Sequence, residues 1–126
     1  KVSFPLPADW SLEQSNQEII IKDNQGRCIG AIEELGGYFL PNHRDILNDK
    51  KLTSKWGESH LLVLLYQSPA ASETQESWQE VHAMIPLKSQ HWLDISVKVS
   101  PKANVEELQK ILENAIMGAA GEATAY

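Results

Sequence analysis

Residues 61–65 are five consecutive apolar residues, Leu-Leu-Val-Leu-Leu, with no alternation between apolar and polar positions. A strand that is apolar on both faces has to be covered on both faces. The run therefore predicts a strand over residues 59–66 that lies in the middle of a sheet, with other structure packed above and below it.

Two later segments alternate instead, which is typical of strands with one buried face. In residues 78–86 the apolar residues Val81, Ala83 and Ile85 alternate with Trp78, Glu80, His82 and Met84, and in residues 91–99 the apolar residues Leu93, Ile95, Val97 and Val99 alternate with Trp92, Asp94, Ser96 and Lys98. A tight connection between the segments predicts a hairpin. If Glu80 pairs with Lys98, the apolar residues of both strands share one face and opposite charges meet on the other.

The last periodic segment predicts a helix over residues 104–117. Asn104 is a good N-cap, and Glu107 occupies the capping-box position. The apolar residues recur at helical spacing and form one stripe, which consists of Val105, Leu108, Ile111, Leu112, Ala115 and Ile116. Gly118 is expected to end this helix.

Short sequence motifs predict the elements in the first half of the chain. Pro5 and Pro7 predict an extended entry segment over residues 4–10. Residues 18–22 and 27–34 form a predicted hairpin around the turn Asp-Asn-Gln-Gly at 23–26. Residues 42–48 predict a short helix, because Asn42 can cap it and Asp45 follows three residues later.

These elements together predict an α+β fold. A mostly antiparallel sheet carries the C-terminal helix on one face and the short helix near the other, as in an α-β-α sandwich. Residues 1–118 are expected to form a single domain, since 126 residues are enough for one core and no more. The small, alanine-rich residues 119–126 are expected to form a flexible tail.

Charge and composition exclude some partners. The formal net charge is −6, and Lys50-Lys51 is the only adjacent basic pair. Nucleic acids and anionic membrane surfaces select for basic patches, so neither is an expected partner. No apolar run approaches the roughly 20 residues that cross a bilayer. The chain starts at Lys1, so we expect any membrane anchor to lie in a segment outside it.

The chemistry of known enzyme motifs is missing from the sequence. Its four histidines, at 43, 60, 82 and 91, lack the spacing of zinc sites, and there is no C-x-x-C motif. The nucleophile motifs G-x-S-x-G and S-x-x-K do not occur. Cys28 lies within a predicted strand, where packing is its usual role, and no disulfide can form within the chain. We therefore predict no catalytic residues, no metal and no cofactor.

One face of the predicted 78–99 hairpin is unusual. It combines two indoles with titratable side chains, and its members are Trp78, Glu80, His82, Trp92 and Asp94. Indoles among polar groups can line a binding groove. The alternative is that the short helix or a loop packs over the aromatics, which is their commoner role on strands.

Several segments resemble one family. Leu-Pro-Asn-His-Arg-Asp-Ile-Leu at 40–47, Ser-Pro-Ala-Ala-Ser at 68–72 and Trp-Gln-Glu-Val-His-Ala-Met-Ile-Pro at 78–86 are similar to the C-terminal extracytoplasmic domain of Gram-positive membrane metallopeptidases of the β-lactam-sensor type. Gly-Ala-Ile-Glu-Glu-Leu-Gly at 30–36 resembles the preceding strand there, so that the similarity covers most of residues 2–99. More loosely, residues 4–10 and the following hairpin resemble the opening of PsbP-like domains, which are α-β-α sandwiches.

The resemblance implies an extracytoplasmic domain at the cell surface or in a periplasm-like compartment, although a cytoplasmic location stays open. It implies a non-catalytic sensory domain that binds a small molecule or protein partner and belongs to a longer membrane-anchored protein or lipoprotein. The chain lacks the acylated S-x-x-K serine of penicillin sensors, so a β-lactam receptor is not implied. The alternative is a small metal-dependent or hydrolytic enzyme that uses Glu80, His82 and Asp94.

Overall fold

The structure, a computed structural model, describes residues 2–38, 44–67 and 76–121. Most of the described strands form one seven-stranded antiparallel sheet, which consists of Ser11–Ser15 (β2), Glu18–Lys22 (β3), Cys28–Leu35 (β4), Arg44–Ser54 (β5), Gly57–Gln67 (β6), Ser77–Pro86 (β7) and Trp92–Lys98 (β8). Their order across the sheet is β2-β3-β4-β8-β7-β6-β5. Val2–Ser3 (β1) and Ala120–Gly121 (β9) pair separately, and Val105–Met117 (α1) is an α-helix. The α+β class predicted from the sequence is confirmed.

The predicted turn at residues 23–26 forms the β3–β4 hairpin. The Oδ1 atom of Asp23 accepts hydrogen bonds from the backbone N–H groups of Gln25, at 2.9 Å, and Arg27, at 3.0 Å. Gly26 has a φ of 76°, a conformation that glycine adopts without steric cost. The preceding strand β2 was not predicted, because its sequence Ser-Leu-Glu-Gln-Ser is polar and it lies exposed at the sheet edge.

Strand β6 is buried on both faces of the sheet, as its uninterrupted apolar run at residues 61–65 predicts. Leu61 and Val63 belong to the core beneath α1, whereas Leu62 and Leu64 belong to a second apolar cluster on the opposite face. The predicted position is only partly right. Strand β6 pairs on both sides, but it lies next to the edge strand β5, and β8 occupies the middle of the sheet.

The short helix predicted over residues 42–48 is wrong for residues 44–48, and residues 42 and 43 lie outside the described part of the chain. Arg44 begins the eleven-residue strand β5, which pairs with β6 through every residue except Leu47, where it has a bulge. The capping signal at Asn42 and Asp45 is local, and pairing with a long neighbouring strand overrides it. The second helical layer on that face is therefore not present in the described residues.

The predicted hairpin register and C-terminal helix are confirmed. Glu80 pairs with Lys98 across β7 and β8. The N-cap Asn104 accepts a hydrogen bond from the backbone N–H of Glu107 at 2.9 Å. The apolar stripe of α1 packs against the sheet, and its most deeply buried members are Leu108, Leu112, Ala115 and Ile116.

Part of the predicted tail takes part in the fold. Ala119 is buried, and Ala120–Gly121 pair with Val2–Ser3. Residues 122–126 lie outside the described part of the chain.

Candidate binding face

The side chains of the candidate site lie on the sheet face opposite α1. Alternation along β7 and β8 directs Val81, Ile85 and Ile95 into the helix-side core. The intervening residues therefore point the other way. We call this surface the polar face and define it by Trp78, Glu80, His82, Trp92 and Asp94.

His82 is the centre of the polar face and is only 3% exposed. Its Nδ1 atom lies 2.8 Å from Oδ1 of Asp94, and its Nε2 atom lies 3.0 Å from Oε1 of Glu80. Glu80 lies two residues away on β7, and Asp94 lies on the adjacent strand β8. Both ring nitrogens of His82 are thus engaged by carboxylates.

This environment keeps the imidazole positively charged. Burial by itself lowers the pKa of His82, but the hydrogen bonds and negative charges of Asp94 and Glu80 outweigh it and raise that pKa to about 9. For Glu80, burial raises the pKa, and the hydrogen bonds from His82 and Trp78 outweigh it, so the pKa is lowered. At neutral pH the group is therefore an imidazolium between two carboxylates. Neither ring nitrogen has a lone pair free to act as a base or as a metal ligand.

Trp78 and Tyr66 extend this network toward one end of the strands. The indole N–H of Trp78 donates to Oε2 of Glu80 at 2.7 Å. The rings of Tyr66 and Trp78 stack with 5.3 Å between centroids and 6° between planes, and Nζ of Lys98 lies 5.5 Å from the Trp78 ring. The Tyr66 hydroxyl lies 3.1 Å from Nε2 of His82.

Tyr66 is unsuited to be a nucleophile. Burial raises the pKa of its phenol well above the usual value, and the negative charges of Glu80 and Asp94 raise it further. The phenol consequently stays protonated at physiological pH. The arrangement of Asp94, His82 and Tyr66 superficially matches a carboxylate–imidazole–hydroxyl triad, but the imidazole is protonated and cannot accept the phenolic proton.

Trp92 lies at the opposite end of the polar face from Trp78. It pairs with Pro86, which is eight residues from Trp78 along β7, so about 26 Å separates the two positions. Its ring packs edge-on against Tyr38, with 4.9 Å between centroids, and lies 6.1 Å from the ring of His60. His60 in turn contacts Asp49, with 3.0 Å between Nδ1 and Oδ1. Trp78 and Trp92 are both partly exposed, so the polar face is open at both ends.

A pair of carboxylates lies beyond Asp94 on the same face. Glu18 pairs with Glu33 across β3 and β4, and Glu33 pairs with Asp94 across β4 and β8. The hydrogen bond with Glu18, followed by burial, raises the pKa of Glu33. The neighbouring carboxylate of Glu18 therefore favours the protonated form of Glu33. Both line an open depression with Asn16, Gln17 and Glu34.

The sequence did not indicate that Tyr66 and Glu33 lie in this region, nor Arg44, which pairs with Tyr66 across β5 and β6. Tyr66, Leu62 and Leu64 are alternate residues of β6, and this spacing indicates that their side chains lie on the same face. Arg44 was hidden by the incorrect helix prediction. The position of Glu33 depends on the pairing of β4 with β8, which are far apart in the sequence.

No family model, curated protein or solved structure matches the chain significantly. Within residues 2–38, 44–67 and 76–121, no group of three or more His, Cys, Asp or Glu side chains is arranged to hold a metal ion. In the same residues, no helix has the length and apolar character required to span a bilayer.

Proposed function

We propose that this chain is a non-catalytic ligand-binding domain that uses the polar face of its sheet. The observation that carries the proposal is the partly exposed indole of Trp78, which Glu80 holds beside the buried imidazolium of His82. Fixed aromatic surface next to oriented polar groups favours binding, because little side-chain entropy is lost when a ligand arrives.

The protonated state of His82 favours binding over catalysis. The alternative, a small metal-dependent or hydrolytic enzyme that uses Glu80, His82 and Asp94, needs a free imidazole nitrogen or a free carboxylate. Here both ring nitrogens and both carboxylates are engaged with each other. This network is suited to orient a ligand and leaves neither ring nitrogen of His82 free to accept a proton.

The biological setting of the proposal rests on resemblance. Similarity to the extracytoplasmic domain of β-lactam-sensor-type metallopeptidases and to PsbP-like sandwiches suggests a sensory or accessory module of a longer, membrane-anchored protein or lipoprotein. The sheet with a helix on one face is compatible with such a module. The ligand is then a small molecule or a segment of a protein partner outside the cytoplasm.

A fragment screen tests this function with two matched variants. Trp78→Phe and Trp56→Phe each remove one indole N–H that donates a hydrogen bond, to Glu80 and to the carbonyl of Gly121 respectively. Fragments that bind the wild-type protein, detected by saturation-transfer NMR, should lose binding to Trp78→Phe and keep it with Trp56→Phe. Equal binding to both variants, or no binding fragment at all, would contradict the proposal.

A further inference from the structure

The hydrogen-bond network around His82 does not explain the position of Arg44 on the sheet. Arg44 pairs with Tyr66 across β5 and β6, and Tyr66 pairs with Trp78 across β6 and β7. Residues that are directly opposite in an antiparallel pair lie on the same face. The guanidinium therefore lies on the polar face, at the end of a row that continues through the two stacked rings.

The guanidinium of Arg44 lacks a protein partner in the described part of the chain. Its Nε atom is buried and has no hydrogen-bond acceptor there. No ion pair joins it to a carboxylate of residues 2–38, 44–67 or 77–121. A buried donor without an acceptor is costly and uncommon in folded proteins, which points to an acceptor outside the described residues.

The two carboxylates that define the polar face, Glu80 and Asp94, are already engaged. Glu80 binds Trp78 and His82, and Asp94 binds His82. The two carboxylates, the imidazolium and the guanidinium together carry no net charge. Burial raises the pKa of Tyr66, and the positive charge of Arg44 acts in the opposite direction, which places the guanidinium near that phenol.

We propose that Arg44 binds an oxyanion group, a carboxylate or a phosphate, of a small ligand whose apolar or aromatic body lies on the polar face. A planar guanidinium matches either group with paired hydrogen bonds. Exposed Ile46 lies two residues along β5 and, with the partly exposed ring of Trp78, provides apolar surface for the body of the ligand. This inference rests on the proposed function, because it specifies the ligand chemistry of the same face.

The arginine side-chain NMR spectrum tests this proposal directly, since the chain has only two arginines, Arg27 and Arg44. Arg27 is the internal reference, because it is exposed and its Nε atom donates to Asp23 at 2.9 Å. Sodium acetate and sodium phosphate are titrated separately at constant ionic strength. We expect the Arg44 Nε–H signal to shift and saturate with at least one probe, while the Arg27 signal drifts linearly and slightly. The probe that saturates distinguishes carboxylate from phosphate chemistry.

Two variants test whether the shift of the Arg44 Nε–H signal reports binding of the anion to this side chain. Arg44→Gln should weaken binding of the saturating probe about tenfold or more, as expected for losing charge-assisted hydrogen bonds. Arg44→Lys keeps the charge but not the planar fork, so it should retain part of the affinity. The Trp78 indole signal should follow the same titration in the wild type and stop responding in Arg44→Gln.

The proposal is wrong if the Arg44 signal does not move, or if it follows the linear drift of Arg27 with both probes. That failure differs from failure of the proposed function. If fragments bind beside Trp78 while neither anion saturates Arg44, the domain binds ligands and the anion site is refuted.

Discussion

Raising the pH from 6.5 to above 9 is expected to destabilise this domain through His82. The folded state raises the pKa of this imidazole from 6.5 to about 9. A raised pKa means that the folded state holds the proton more tightly than the unfolded state. The stabilisation is therefore complete below pH 6.5 and is lost as the pH rises through 9. The difference of roughly 2.5 pH units corresponds to about 3 kcal/mol of unfolding free energy.

Urea unfolding at closely spaced pH values measures this effect, with two histidine variants for comparison. His82→Gln removes the titrating group, whereas His91→Gln removes a histidine whose ring is 45% exposed and lies 3.3 Å from Glu34. The free-energy difference between wild type and His82→Gln should shrink by about 3 kcal/mol between pH 6.5 and 9.5. The difference between wild type and His91→Gln should stay nearly constant, because exposed ion pairs contribute little.

Direct titration of the His82 ring by NMR in the wild-type protein covers the case in which His82→Gln does not fold. The ring signals should report a pKa near 9. A His82 pKa at or below 6.5, or parallel stability curves for wild type and His82→Gln, would refute the imidazolium between Glu80 and Asp94.

Three further predictions concern the frame that supports the polar face. Leu112→Asp places a charge in the core and should unfold the domain, whereas Met117→Asp, 60% exposed on the same helix, should shift the melting temperature by only a few degrees. Gly30→Ala should destabilise strongly, because a Cβ atom there would lie 2.0 Å from a backbone oxygen of the neighbouring strand, while Gly36→Ala, with open space, should be nearly neutral in thermal unfolding. The amides of residues 61–65 should be among the slowest to exchange with deuterium; fast exchange there would contradict the two-sided burial of β6.

Local periodicity explains which parts of the fold could be predicted. The stripe and N-cap of α1 and the alternation in β7 and β8 are short-range patterns that the final packing preserves. Strand β2 has no apolar face to identify it. The strand that starts at Arg44 carries a helix-like capping signal, and only its pairing with β6 makes it extended. Both predictions failed, for β2 and for β5, because long-range strand pairing determines these elements.

Some residues of the candidate site could likewise be predicted from local sequence patterns, and others could not. Trp78, Glu80, His82 and Asp94 could be grouped because one hairpin register places them on one face, and the structure joins them by hydrogen bonds. Tyr66 comes from β6, so its contact with His82 depends on the order of strands in the sheet. The charge state of His82 also depends on distances that the sequence does not contain.

The tryptophan side-chain NMR spectrum tests the central claim most directly, that ligands bind the polar face. The chain has four tryptophans, and Trp10 and Trp56 pack against the helix-side core while Trp78 and Trp92 lie on the polar face. During titration with the tightest fragment from the screen, the indole N–H signal of Trp78, alone or with Trp92, should shift and saturate, and those of Trp10 and Trp56 should stay in place. Saturating shifts confined to Trp10 or Trp56 would contradict the account and place the binding surface on the helix side.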